Sequence, residues 1–159
     1  MACEVMPAGD AVPSGVDLVA LAGFADRCAA VLGREGSDWS IVLGDDPFLF
    51  HLNTEYRSMA SATDVLSFPQ TEFADGPNQG EAPELGDVVV SVETAARQAA
   101  EHGHGLQAEL EILVVHGLCH LLGWDHETPD DAQAMRASEA RVLHAAGGPA
   151  IGLVRRAGA

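Results

Sequence analysis

Residues 106–126 read LQAELEILVVHGLCHLLGWDH, and this stretch restricts the fold of the 159-residue chain more than any other. It is apolar nearly all round a helix, with acids only in its first turns, so it belongs in the interior. It nevertheless carries His116 and His120, four apart, followed by Gly123 and His126. A helix places the first two imidazoles one turn apart on one face. Glycine takes the left-handed conformation that ends a helix and redirects the chain, which swings His126 back toward the same point. Three neutral imidazoles with a fourth position open to water match a catalytic zinc centre of one ion per chain, not a closed structural one.

The neighbouring residues have plainer readings. Asp125 is a turn residue or an acceptor orienting one imidazole, with a fourth ligand as the alternative. Cys119 points about 100° away from His120 on a helix and reads as a buried thiol. His51, His102, His104 and His144 have no partner at ligand spacing and read as solvated or structural. Zinc proteases share the H-x-x-x-H-x-x-G-x-x-H spacing but place glutamate after the first histidine, where this chain has Gly117.

The rest of the chain fits one α+β domain. "GVDLVALAGFADRCAAVLG" has a helical apolar period through Val16, Val19, Leu21, Phe24, Cys28, Val31 and Leu32, stopped by Gly33. "DWSIVLG" and "TDVLSFP" read as strands, and "LGDVVVS" as an inner strand. "DPFLFHLNTEYR" opens a helix with Asp46 as N-cap and Pro47 at its first position. Ser91 caps a third helix stopped by Gly103, residues 71–84 form a polar loop, and residues after 128 form a last amphipathic helix. Strands and helices do not alternate strictly, which favours a small mixed sheet packed with helices over a doubly wound fold. The expected limits are an N-terminal tail at 1–15, mobile or forming a short edge strand, the domain at 16–147, and a C-terminal tail at 148–159.

Composition narrows the function classes. The formal net charge is −16, and all eight bases are arginine. Such a balance argues against sequence-independent grip on nucleic acid by a broad basic face, so a polyanion would have to be met at a local site. Three cysteines without C-x-x-C spacing give neither a disulfide framework nor a cysteine zinc site. No apolar run reaches the length of a membrane span, and no targeting segment is visible, so a cytoplasmic location is expected.

"HGLCHLLGWDH" resembles the signature of the YbeY family of bacterial ribosomal-RNA maturation factors, with Cys119 and Trp124 in place of a leucine and a tyrosine. "LNTEYR" at 52–57, "TDVLSFP" at 63–69, "LGDVVVS" at 85–91 and the "M…E…VL" of the last helix follow in the family's order. The resemblance runs from about 40 to 145 and departs at "SMASA", residues 58–62. It implies a zinc-dependent, single-strand-specific endoribonuclease in maturation of the small-subunit ribosomal RNA 3′ end and in ribosome quality control. It also implies small-subunit ribosomal proteins and an assembly GTPase as partners, His116, His120 and His126 as ligands, and Arg57 as the functional arginine, with His116 counted beside it as catalytic. A non-catalytic metal-binding assembly factor and a metallohydrolase of peptides or small molecules are the competing classes.

Phosphodiester cleavage tolerates the missing glutamate better than amide hydrolysis. Its main demand is charge stabilisation at phosphorus, whereas an amide also needs a proton delivered to a poor leaving nitrogen. Glycine costs a helix interior roughly 1 kcal/mol relative to Ala, so Gly117 is expected to leave room beside the ion for a phosphate or ribose.

Overall fold

The computed structural model describes residues 3–9, 15–57, 63–70, 84–124 and 127–149. Four strands, β1 (Cys3–Pro7), β2 (Asp38–Gly44), β3 (Val65–Pro69) and β4 (Glu84–Ser91), make one sheet in the order β1-β2-β4-β3. β1 and β4 run parallel to β2, and β3 runs antiparallel to β4. The five helices are α1 (Leu18–Val31), α2 (Asp46–Arg57), α3 (Val92–His102), α4 (Leu106–Leu121) and α5 (Pro129–Ala146). The mixed sheet and the α+β class are those expected.

Period-2 alternation sorts the strands between two faces. Cys3, Trp39, Ile41, Leu43, Val88 and Val90 turn one way and pack with α1, α4 and α5 in the main core. Leu66 and Val89 turn the other way and meet Leu49 of α2, with Val42, Phe48, Leu52 and Phe68 around them. The apolar α4 is the hub of the larger core, in contact with β3, β4, α1, α3 and α5.

Three expectations change. The segment 1–15 is not simply a mobile tail: Cys3–Pro7 pair with Trp39–Leu43 as an edge strand, the second of the two forms considered. Its Ala-, Gly- and Pro-rich surroundings hid the alternation in which Cys3 is buried and Glu4 and Met6 are exposed. Val19 is 84% exposed and off the core face of α1, which Leu21, Phe24, Ala25, Cys28 and Ala29 form at helical spacing. The cap of α2 lies one residue earlier than expected, since Asp45 Oδ1 accepts from Phe48 N at 2.9 Å. Asp46 instead turns its carboxylate to α3. It accepts from Ser91 Oγ and Thr94 Oγ1, each at 2.6 Å, and from Arg97 Nη2 at 2.9 Å. Ser91 caps α3 and Gly103 ends it at φ 74, both as expected. The polar loop expected at 71–84 lies, up to residue 83, outside the described residues, as do 150–159 of the expected C-terminal tail.

Candidate metal centre

α4 places His116 and His120 as its periodicity requires: the ring centroids are 4.7 Å apart and the planes meet at 83°. The helix ends where Gly123 stands, at φ 102. Gly123 N donates to His120 O at 3.1 Å, and Trp124 N reaches back to Cys119 O at 3.0 Å, the paired bonds of a glycine-terminated helix. Trp124 packs on the core. Asp125 and His126 come next, outside the described residues.

The structure adds a residue that the sequence reading missed. Glu139 of α5 is 3% exposed, and its Oε2 lies 2.5 Å from His116 Nδ1. The carboxylate engages Nδ1, one of the two ring nitrogens, with the His120 ring alongside. This donor arrangement fits a zinc-type ion. A signal existed in the sequence: Glu139 lies in the core-facing stripe of α5 with Met135, Val142 and Leu143, where a carboxylate has no packing reason to be.

Cys119 is a fully buried core residue whose Sγ lies 3.9 Å from Ser138 Oγ. Burial, more than the nearby Glu139 charge, pushes its thiol up to about 12, so it is a neutral packing group, as read from its helical position.

The room expected beside Gly117 is absent. Gly117 is buried against the sheet, where a Cβ would come within 2.5 Å of Val88 Cγ1 and 3.3 Å of Val65 Cγ2. Ser67 Oγ donates to the Gly117 carbonyl at 2.8 Å. The missing side chain lets α4 close onto β3 and β4, and a glutamate there would drive into the sheet. Gly117 is small for packing, not for substrate.

A second group also departs from expectation. His102, His104 and Glu109 bring potential ligand atoms within 4.8 Å of one another, a set that could hold a metal ion. Gly103 makes the corner: His104 N bonds back to Ala99 O, which folds the loop toward Glu109 in the first turns of α4. His104 Nε2 is 2.6 Å and His102 Nδ1 3.6 Å from Glu109 Oε1. Glu109 is fully buried, and its Oε2 and His104 Nδ1 have no hydrogen-bond partner among the described residues. His102 and His104, read from sequence as solvated or structural, meet Glu109 through a tertiary corner rather than a helical repeat, which is why their proximity had no sequence spacing to mark it. His51 pairs with Glu55 at 2.8 Å on the surface of α2, and His144 is exposed in the last turn of α5.

Arg57 is the last residue of α2, and its side chain is outside the described part, as is the divergent segment 58–62. The described residues resume at Thr63, and β3 begins at Val65, beside Gly117.

Such a framework defines a small α+β domain whose central helix carries paired histidines backed by a buried carboxylate. A family profile described as Endoribonuclease YbeY matches residues 24–147. The chain belongs to the YbeY family. It is similar to Endoribonuclease YbeY of Symbiobacterium thermophilum, 46% identical over 109 residues that cover 65% of this chain and 68% of the relative. With Endoribonuclease YbeY of Anaeromyxobacter dehalogenans it shares 47% identity over 131 residues, 81% of this chain and 65% of the relative. A chloroplastic Endoribonuclease YBEY of Arabidopsis thaliana is 46% identical over 79% of this chain, which spans 21% of that longer protein. The solution structure of TM1509 from Thermotoga maritima has the same fold, with a TM-score of 0.54 at 20% identity and 89% of each chain covered. No described helix is long and apolar enough to cross a membrane.

Proposed function

We propose that this protein is a metal-dependent, single-strand-specific endoribonuclease that matures the 3′ end of small-subunit ribosomal RNA and takes part in ribosome quality control. Its ion is held by His116, His120 and His126, and zinc is the metal expected from three imidazoles with an open position. The observation that carries this reading is the His116–Glu139 contact on the helix that bears His120, within a chain of the YbeY family. Bound there, zinc supplies Lewis-acid charge against the oxygens of a phosphodiester. The protein's own part is to hold that charge in a fixed place and to present Arg57, whose planar fork suits two phosphate oxygens at once. Where a zinc protease has its glutamate this chain has Gly117, whose place is filled by the sheet, which supports phosphodiester rather than amide chemistry. His116, spent on Glu139 and on the ion, holds charge rather than moving a proton.

Single-stranded ribosomal RNA is the substrate of this reading, and small-subunit ribosomal proteins and an assembly GTPase are its partners. Three buried thiols without disulfides accord with a reducing compartment, in keeping with a cytoplasmic location. The net charge of −16 favours one competing reading, a non-catalytic assembly factor recruited by basic proteins. Incubating the zinc-loaded protein with one RNA in single-stranded and duplex form separates the two. Cleavage confined to the single strand supports the nuclease, and no cleavage of either form supports the assembly factor.

A further inference from the structure

We propose that Glu139 is the positioning residue of the metal centre: it fixes the His116 ring through Nδ1 and commits Nε2 to the ion. The inference deepens the reading of His116 as a ligand and rests on it.

Glu139 lies on the inward stripe of α5 beside Met135, Ser138, Val142 and Leu143, all buried. A carboxylate in such a seam is expensive unless a hydrogen-bonded, positively polarised partner meets it. An apolar side chain of similar size would pack there at lower cost, so its presence calls for a role outside packing. The partner it meets is His116 Nδ1, at 2.5 Å.

That contact orients the ring. A carboxylate accepts, so Nδ1 must carry hydrogen, and a neutral imidazole then has its lone pair on Nε2. Without Glu139 the ring would divide between two tautomers and several rotamers, and an ion would have to select one of them. The His120 ring against it, 4.7 Å away, leaves little room for such wandering once Nδ1 is tied.

Glu139 is itself held in place by α5. Thr128 caps that helix by accepting from Asp131 N at 3.0 Å, and Pro129 opens it. Met135, Val142 and Leu143 enter the main core, and Ser138 meets Cys119 of α4 one residue from the glutamate. The carboxylate therefore arrives at His116 on a rigid element, as a group that orients a ligand must.

Zinc affinity by chelator competition, the visible spectrum of the cobalt-substituted protein and the imidazole nitrogen signals of His116 test the proposal. The variants are Glu139→Leu, Glu139→Gln and, as a control at the same helix contact, Ser138→Ala. Glu139→Leu should weaken zinc and cobalt binding ten- to a hundred-fold while the metal-free protein melts no lower than wild type. Glu139→Gln keeps an acceptor without the charge; it should lose less affinity and show mixed His116 tautomers. Ser138→Ala should bind as wild type does. Wild-type affinity in Glu139→Leu overturns the proposal, as does an affinity loss in Ser138→Ala equal to that in Glu139→Leu. If Glu139→Leu does not fold, a Glu139→Gln protein with wild-type affinity and unchanged His116 signals overturns it. Stoichiometric zinc in His116→Ala would instead remove the ligand assignment beneath it, an outcome that the glutamate variants alone do not produce.

Discussion

Gly117 shows how one position can carry two readings that only packing separates. The sequence marks it as the place where a protease would have its glutamate; the structure puts it against Val88 and Val65 with no space for a methyl group. Gly117→Ala gains roughly 1 kcal/mol of helix propensity and loses about 2–3 to overpacking, so a net destabilisation of about 1–2 kcal/mol is expected in chemical unfolding. Val88→Ala should reopen the space, making the double variant less unstable than the sum of the two single ones. Arg57→Ala should keep zinc content and melting temperature while losing cleavage; a large fall in melting temperature would identify a structural ion pair instead. The two histidine groups make separable predictions as well. Zinc content should collapse in His120→Ala and stay near one per chain in Glu109→Gln, and the reverse pattern would move the ion to the α3–α4 corner. His116 and His120 were legible from sequence because a helix repeat places them. Glu139 was marked only as an acid in an apolar stripe, and His104 and Glu109 not at all, because their partners arrive through helix packing and a glycine corner.

Among the elements, α2 and α3 are joined at their N-termini by Asp46. Ser91 and Thr94 donate to its carboxylate, with Arg97 adding a third hydrogen bond, and together these hold it below the usual carboxylate range. Asp45, which caps α2, and Glu93, which accepts from Asp46 N, are the acids nearby. A carboxyl with a depressed folded pKa stabilises above its ordinary unfolded value, near 4, and that contribution fades as pH falls through the folded value. Unfolding measured from pH 7 downward should therefore find Asp46→Asn less stable than wild type at neutral pH. The gap should close below about pH 4; a gap independent of pH would show that the carboxylate charge has no part in the junction. The sequence marked this junction as a helix start but misplaced the cap by one residue, because two adjacent aspartates satisfy the same rule. α4 and its stop at Gly123 were legible because apolar periodicity and turn chemistry agreed.

At the scale of the molecule, the mixed sheet buries α4 on one face and takes α2 on the other, so the histidine helix is held by the main core while Arg57 arrives on a separate element. The α+β class was legible from strand and helix patterns, whereas the parallel placement of β1 at the edge was not, since five residues in an Ala-, Gly- and Pro-rich segment carry too little alternation. On the proposed function, the charge of −16 sharpens what such a body needs to cut RNA: positive charge concentrated at one place, which a bound ion would supply. The most direct test is cleavage of a single-stranded RNA by chelator-stripped protein before and after zinc is restored, with His120→Ala treated alongside. Stripping should abolish cleavage, and zinc should restore it to wild type but not to the variant. Cleavage by the stripped protein at the original rate, or full recovery in His120→Ala, would contradict the account.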